Sequence, residues 1–262
     1  MNSVNKTLYI PLYGKAMVSR KGILLRDPKA ERIWQQEGFQ LKGKAASKWL
    51  AYNMAMRAAV FDDWTSKKRM EQPDAVVLHI GCGMDSRWER LGGGHGQWYD
   101  IDFPEVIRER KKYFRETSVY HMLAADMRTD EWKTQIPAGK KAIIVMEGVS
   151  MYFRPEELIS LLRGLAAHFE SLCLLMDCYS TFGAKASKYK NPINEVGVTT
   201  VYGMDDPVLL AQQTGLTYCS EHSLTPLHMI AQLTAPERIL FTNLFAGRLA
   251  RKIYRLHEFH KA

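Results

Sequence analysis

The segment from Val76 to Asp102 constrains the fold more than any other part of the chain. Its first residues, Val76 to Ile80, are nearly continuously apolar, which is typical of a central parallel strand that is covered on both faces. The run ends at Gly81-Cys82-Gly83, where the missing side chains let the backbone turn sharply and approach a ligand. A second strand ends at Asp102, 21 residues after Gly81. The segment therefore predicts the first strand–turn–strand unit of a nucleoside-binding α/β fold.

The residues of the glycine turn discriminate between two kinds of adenosine-containing cofactor. A dinucleotide fingerprint, G-x-G-x-x-G, would need glycine at position 86, which is Ser86. Asp85 in the same turn is a poor neighbour for a pyrophosphate but a good one for a positively charged or hydrogen-bonding group. S-adenosylmethionine carries a sulfonium and an ammonium and has no phosphate. We therefore expect S-adenosylmethionine rather than a nicotinamide dinucleotide, with Asp102 accepting hydrogen bonds from both ribose hydroxyls.

Strands alternate with helices from Ala75 onward, which predicts an α/β sheet with helices on both faces. The sheet is expected to be mostly parallel and to be closed by a late antiparallel strand. The predicted strands cover residues 76–80, 97–102, 118–124, 142–147, 171–178, 217–221 and 251–260. The predicted helices cover residues 27–37, 44–68, a segment after Pro104, a segment after Pro155, 205–215 and 236–249.

The 262 residues, of which 46% are hydrophobic, fit one domain with a substantial core. Within residues 1–262 we expect an N-terminal helical cap (1–70), a cofactor-binding core (71–180), a substrate lid or insertion (181–204) and the C-terminal part of the sheet (205–262). The lid is predicted because its residues are polar, contain glycine and show no clear periodicity.

Composition excludes several classes of partner. The net charge of +8 suggests nucleic acid, but no compact basic stripe is interleaved with aromatic residues, so no nucleic-acid partner is expected. The four cysteines have no metal-ligand spacing, which predicts reduced thiols, a cytoplasmic location and no metal. No apolar run approaches the ~20 residues that span a bilayer, and the first residues lack the order of a signal peptide, so no membrane partner is expected.

Glycine or acidic residues stand at the ends of four successive predicted strands. In open α/β sheets, ligands bind beyond the carboxyl ends of the strands. A single acid there is often only a helix N-cap, as Asp102 before Pro104 could be, whereas four such ends together favour a binding site. The candidate cofactor-binding residues at these ends are Gly81, Gly83 and Asp85; Asp102; Asp126 and Met127; and Glu147.

Several motifs resemble the leucine carboxyl methyltransferase family, which includes bacterial O-methyltransferases of polyketide pathways. They are the segments 78–87 (LHIGCGMDSR), 99–106 (YDIDFPEV), 124–128 (AADMR) and 146–152 (MEGVSMY), with 27–30 (DPKA) and 57–63 (RAAVFDD) upstream. The resemblance implies a Rossmann-like class I methyltransferase fold with a seven-stranded, mostly parallel sheet. It also implies S-adenosylmethionine as methyl donor and S-adenosylhomocysteine as product.

The resemblance further implies a role for each candidate. Arg57 would pair with the methionyl carboxylate, since an arginine fork matches a carboxylate. The Gly81 backbone would contact the methionyl end, Asp102 the ribose, Asp126 and Met127 the adenine, and Glu147 the methionyl amine. Ser150 departs from the family pattern, which has leucine there. The N-terminal lysine that eukaryotic members use stays open among Lys15, Lys21, Lys42 and Lys44.

The resemblance implies an O-methyltransferase that acts on a carboxylate or hydroxyl of a small-molecule, polyketide or peptidyl acceptor. A carboxylate needs no general base, whereas a hydroxyl would gain from one. Tyr152 is a candidate catalytic residue, and the histidines that could serve as a base are His121, His168, His222 and His228. Two alternatives stay open: a nucleic-acid methyltransferase, although its Asn/Asp-Pro-Pro-aromatic and Pro-Cys motifs are missing, and a non-catalytic protein that binds S-adenosylmethionine. The acceptor and the oligomeric state are left open.

Overall fold

The computed structural model describes residues 8–38, 41, 43–94, 96–190 and 200–262, with the backbone alone at Lys44 and residues 188–190. The α-helices of these residues are α1 (Tyr9–Lys21), α2 (Pro28–Glu37), α3 (Lys48–Glu71), α4 (Arg87–Arg90), α5 (Pro104–Arg110), α6 (Pro155–His168), α7 (Thr181–Lys190), α8 (Pro207–Thr214), α9 (Leu227–Ile230), α10 (Ala235–Phe245) and α11 (Arg248–Ile253). Short 3-10 turns cover Gly43–Ala46, Glu131–Gln135 and Ser150–Tyr152.

Seven strands form one sheet in the order β3-β2-β1-β4-β5-β7-β6. They are β1 (Val76–Ile80), β2 (Trp98–Asp102), β3 (Tyr120–Ala124), β4 (Lys141–Met146), β5 (Ser171–Tyr179), β6 (Thr217–His222) and β7 (Tyr254–Lys261). β1 to β5 pair in parallel, and β7 runs antiparallel between β5 and β6. The predicted mostly parallel, seven-stranded α/β sheet with a late antiparallel strand is confirmed.

The central strands are buried on both faces, as their apolar runs predict. Val77 packs into one core cluster with α1, α2 and α3, whereas Val76 and Leu78 pack into a second cluster with α6 and α8. Successive side chains of a strand point to opposite faces, so a continuously apolar strand can supply both clusters. The carboxyl ends of β1, β2 and β4 therefore lie side by side at one edge of a rigid sheet.

The N-terminal helices lie over that edge. α2 begins at Asp27, whose side chain accepts a hydrogen bond from the Ala30 backbone at 2.9 Å, as expected of an N-cap followed by proline. Asp27 also accepts hydrogen bonds from Ser86 and Arg90 in the first βα unit. The helical cap is thereby tied to the part of the sheet that carries the glycine turn.

The predicted lid is only partly within the described residues. Residues 181–190 form α7, a helix that the polar sequence did not predict, and residues 191–199 lie outside the described part of the chain. The segment after it lies against the sheet edge, because the Tyr202 backbone donates to the Met151 carbonyl and that of Met204 to the Tyr179 carbonyl, each at 2.8 Å. A lid function for residues 181–204 stays a prediction.

Element ends differ from the predictions near the C-terminus. The helix predicted over 236–249 ends at Phe245, and a separate helix, α11, covers residues 248–253, so residues 251–253 of the predicted last strand are helical instead. Gly247 separates the two helices in an extended conformation. Among the described residues, no helix is long and apolar enough to cross a membrane.

Candidate active site

A cavity of about 890 Å³ opens at the carboxyl edge of the sheet. Its walls come from the ends of β1, β2 and β4, from α1 and α3, and from the C-terminal helices α10 and α11. The predicted residues that line it are Arg57, Gly81, Gly83, Asp85, Asp102, Met127, Glu147 and Tyr152. The volume is near the upper end of the ~300–1,000 Å³ usual for small-molecule sites, which leaves room for two ligands.

Asp102 is a buried carboxylate at the tip of β2. Its two oxygens accept hydrogen bonds from the backbone N–H groups of Gly83 and Phe103, each at 2.8 Å. Among the described residues no cation forms an ion pair with it, and burial raises its pKa to about 6 against those two hydrogen bonds. Each oxygen retains a free lone pair, so the carboxylate can accept two further hydrogen bonds inside the cavity.

The glycine turn brings the backbone to the cavity wall. Gly81 has φ +71°, a left-handed conformation that glycine adopts without strain. A Cβ at this position would lie 2.6 Å from a methyl group of Val149. The turn therefore requires glycine both for its dihedral angle and for its close approach to the loop after β4.

Glu147, at the end of β4, lies between two buried arginines. Arg57 of α3 donates from Nε to Glu147 Oε1 at 3.0 Å, and Arg87 of α4 binds the other carboxylate oxygen. Burial alone would raise the pKa of Glu147, but Arg57 and Arg87 outweigh it and lower the pKa to about 2. Glu147 is thus held ionised at the cavity wall.

Asp85 is balanced by cations of the protein itself. Lys15 of α1 lies with Nζ 3.2 Å from Asp85 Oδ1, and Arg90 Nη1 lies 2.8 Å from the same oxygen. Burial would raise the pKa of Asp85, yet Arg90, Lys15 and Arg87 hold it well below its usual range. Lys15 is 3% exposed and lines the cavity. Of the four open lysines, Lys15 is the one that the structure places at the cavity; Lys42 and the side chain of Lys44 lie outside the described residues.

Behind Arg57 lies a second acid that sequence reasoning missed. Asp177 of β5 is fully buried, 3.2 Å from Arg57 Nη1, and accepts hydrogen bonds from the Gly148 backbone and from the Tyr254 hydroxyl. Ser150, the departure from the family pattern, donates its hydroxyl to the Asp177 carbonyl. Asp177 could not be recognised from the sequence as a site residue, because it lies inside a continuous strand. Tyr254 could not be recognised either, because its position depends on the pairing of β7 with β5.

The adenine side of the site differs from the prediction at one residue. Met127 lines the cavity and is 2% exposed, and Phe103, next to Asp102, lines it as well. Asp126 does not: its carboxylate accepts from the backbone and the guanidinium of Arg128, with Nη2 at 2.6 Å. The structure therefore places Asp126 in a local ion pair outside the cavity wall, and its contact with the adenine stays a prediction.

The four histidine candidates differ in whether they line the cavity. His121 is bound to Gln97 at 2.8 Å and His168 to the Ile136 carbonyl at 3.0 Å, so both have structural partners. Neither of them lines the cavity, and nor does the exposed His228. His222 does line it, with Nε2 2.6 Å from Glu258 Oε2.

Tyr152 lines the cavity too, and burial raises its pKa to about 12. Its phenol therefore stays protonated near neutral pH, which does not suit a general base.

Comparisons with known proteins agree with this geometry. The model of the family "Leucine carboxyl methyltransferase" matches residues 5–166, more than half of the chain. The tetracenomycin polyketide synthesis O-methyltransferase TcmP of Streptomyces glaucescens is 27% identical over 96% of this chain and 97% of its own. The S-adenosyl-L-methionine-dependent methyltransferase dpfgK of Gibberella zeae is 29% identical over 69% of this chain and 65% of its own.

Among solved structures, a protein of Galdieria sulphuraria described as a sarcosine dimethylglycine methyltransferase superposes with a TM-score of 0.50. It is 11% identical and covers 90% of this chain and 99% of its own. At this identity the likeness concerns the fold alone, and it supports the expected class I methyltransferase architecture. The match of the family model over most of the cap and core shows that the chain belongs to the leucine carboxyl methyltransferase family, which confirms its prediction as an S-adenosylmethionine-dependent O-methyltransferase.

Proposed function

We propose that the chain transfers a methyl group to a carboxylate or acidic hydroxyl oxygen of an apolar small molecule. The observation that supports S-adenosylmethionine as the donor is Asp102, a buried carboxylate with free lone pairs that forms no ion pair with the described residues, since the nearby Arg110 pairs with Asp100. Such a group is costly unless a ligand supplies donors, and a ribose offers two vicinal hydroxyls.

The charges at the other end of the cavity fit the amino-acid end of S-adenosylmethionine. Two cations, Lys15 and Arg57, and two acids, Asp85 and Glu147, line the wall together. A zwitterion with adjacent ammonium and carboxylate groups can contact both signs at once, whereas a pyrophosphate would meet the two acids. Bound S-adenosylmethionine supplies an already activated methyl group, so the protein has to align the acceptor and exclude water. Alignment of this kind can contribute ~7–11 kcal/mol.

The remaining walls of the cavity favour an apolar acceptor. They are largely apolar and include Leu50, Met54, Met151, Leu244 and Leu249. Tyr152 stays protonated and is therefore no base, whereas His222, whose Nε2 is bound by Glu258, is the histidine candidate in this wall that could serve a neutral alcohol. An acceptor oxygen that ionises by itself needs no such base. TcmP, named for tetracenomycin polyketide synthesis, supports a polyketide-like acceptor.

The test uses methyl-labelled S-adenosylmethionine with three panels of acceptors: aromatic carboxylic acids, phenols, and RNA or DNA. We expect label in the carboxylic acids or the acidic phenols; a methyl ester releases labelled methanol in alkali, whereas a methyl ether does not. Label confined to RNA or DNA would instead support a nucleic-acid methyltransferase. Tight donor binding without transfer to any panel would support a non-catalytic role.

Arg57→Ala tests the assignment of the methionyl carboxylate. The variant is expected to bind S-adenosylmethionine ~10- to 150-fold more weakly, because a charge-assisted contact contributes about 1.5–3 kcal/mol. Methylthioadenosine, which lacks the amino-acid end, should lose much less affinity. Calorimetry with both ligands measures the difference, and equal losses would contradict the assignment.

The pH dependence of donor binding tests Asp102. The free protein holds the pKa of Asp102 at about 6, above its ordinary 3.8, and the ribose requires the ionised form. Affinity should therefore fall as the pH drops below about 6, by up to about tenfold per unit. In the free protein, the stability that this shift contributes is complete below pH 3.8 and is lost as the pH rises through about 6. A binding constant that stays flat between pH 7 and pH 5 would contradict the assignment.

A further inference from the structure

The guanidinium of Arg57 is held by partners from three strands. Nε binds Glu147 at the end of β4, and Nη1 lies 3.1 Å from the Tyr254 hydroxyl and 3.2 Å from Asp177. Nη2 makes no hydrogen bond with the described residues and lies over Gly148, where a Cβ would come within 3.1 Å of it. One edge of the fork is thus fixed by the protein, and Nη2 is left for a ligand.

We call the three residues that hold the Arg57 guanidinium, Glu147, Asp177 and Tyr254, the clamp. Asp177 and Tyr254 lie outside the cofactor motifs of the sequence. Both lie beyond residue 166, where the family match ends. Tyr254 is the first residue of β7, pairs with Tyr179 of β5, and lines the cavity. Its hydroxyl donates to Asp177 at 2.7 Å while accepting from Arg57. Asp177 itself is fully buried and does not line the cavity, so it reaches a ligand only through its neighbours.

We propose that Tyr254, supported by Asp177, is a positioning residue that orients Arg57 toward the methionyl carboxylate of the donor. The inference rests on the proposed function, since it needs S-adenosylmethionine as the donor. An arginine side chain has many rotamers, and its planar fork binds a carboxylate well only when it is preorganised. Glu147 alone fixes Nε and leaves the plane of the guanidinium free to tilt about that hydrogen bond. The Tyr254 hydroxyl and Asp177 together hold Nη1 and restrict the tilt.

The electrostatics of the buried pair agree with this role. Burial raises the pKa of Asp177, and Arg57 together with the hydrogen bonds from Gly148 and Tyr254 acts in the opposite direction. Without the tyrosine hydroxyl, Asp177 would lose one of its donors, and its ionised form, which attracts Arg57, would be weakened.

The test is a thermodynamic cycle with Tyr254→Phe, which keeps the ring and removes one hydroxyl. Affinities for S-adenosylmethionine and for methylthioadenosine are measured by calorimetry. We expect the variant to bind S-adenosylmethionine about three- to tenfold more weakly, the loss of one hydrogen bond, and methylthioadenosine as the wild type does. In the background of Arg57→Ala, Tyr254→Phe should add nothing, because a residue that acts through Arg57 cannot act without it.

Thr225→Val is the matched control, since it removes another hydroxyl that lines the same cavity but makes no contact with Arg57 among the described residues, and it should leave the ratio of the two affinities unchanged. Equal losses for both ligands, or a full effect of Tyr254→Phe without Arg57, would overturn the inference. Failure of the donor assignment has a different signature, because the wild type would then bind neither ligand. A wild type that binds both ligands but transfers no methyl group would refute the proposed function and leave the positioning role of Tyr254 standing.

Discussion

Replacing Arg87 with methionine is expected to lower the free energy of unfolding by about 3–5 kcal/mol, because three buried acids each lose one of the cations that they share. The Arg87 side chain is 0% exposed. Nε lies 2.8 Å from Asp62, and Nη2 contacts Asp85 and Glu147. Methionine fills much of the same volume, so the loss reports charge rather than packing. Urea unfolding followed by tryptophan fluorescence measures it.

Arg154→Ala is the control for a removed arginine. Arg154 pairs with Glu157 at the start of α6 and is 56% exposed. Exposed ion pairs contribute little, so the unfolding midpoint should hardly change. If Arg87→Met were as mild as Arg154→Ala, the three acids would not depend on Arg87, and Glu147 would not be held at the cavity wall in the way described.

Asp102→Ala is expected to weaken S-adenosylmethionine binding at least tenfold. A carboxylate that accepts two ribose hydroxyls forms charged hydrogen bonds worth about 1.5–3 kcal/mol each. Methylthioadenosine contains the same ribose and should lose the same factor, which is the opposite of the pattern expected for Arg57→Ala. Calorimetry with the two ligands therefore separates the two ends of the donor site.

Asp126→Ala is the matched control at the end of the next strand. The Asp126 carboxylate pairs with Arg128 and does not line the cavity, so donor affinity should be almost unchanged. Unchanged affinity in Asp102→Ala would refute the ribose assignment. A large loss in Asp126→Ala would mean that Asp126 leaves Arg128 and turns to the adenine when the donor binds.

The sheet was predictable because its signals are local. The continuous apolar run of β1 and the strand tips at Gly81, Asp102 and Glu147 are visible in the printed sequence and depend on no distant contact. The helix α1 was not predictable in this way. It contains Gly14, where a Cβ would lie 3.1 Å from the Ala51 carbonyl, so α1 packs very closely against α3. Its sequence does not show the apolar stripe by which an amphipathic helix is recognised.

The site was predictable where a residue lies at a strand tip or, like Arg57, belongs to a contiguous motif. Lys15 could not be chosen among four lysines, because its place depends on how the cap lies over the turn. Asp177 and Tyr254 act behind Arg57 and belong to no contiguous motif. Asp126 stands at a strand tip like the other acids, but its carboxylate pairs with Arg128, two residues further along the chain. The position of an acid at a strand tip does not reveal such a local ion pair.

The insertion of β7 between β5 and β6 has a consequence for biosynthesis. Tyr254 contacts Arg57 across 197 positions of the chain, so this contact can form only after β7 has left the ribosome. Before β7 is in place, a nascent chain has the glycine turn and its acids but lacks the contact of Tyr254 with Arg57. The donor is therefore expected to bind at full affinity only once β7 lies between β5 and β6.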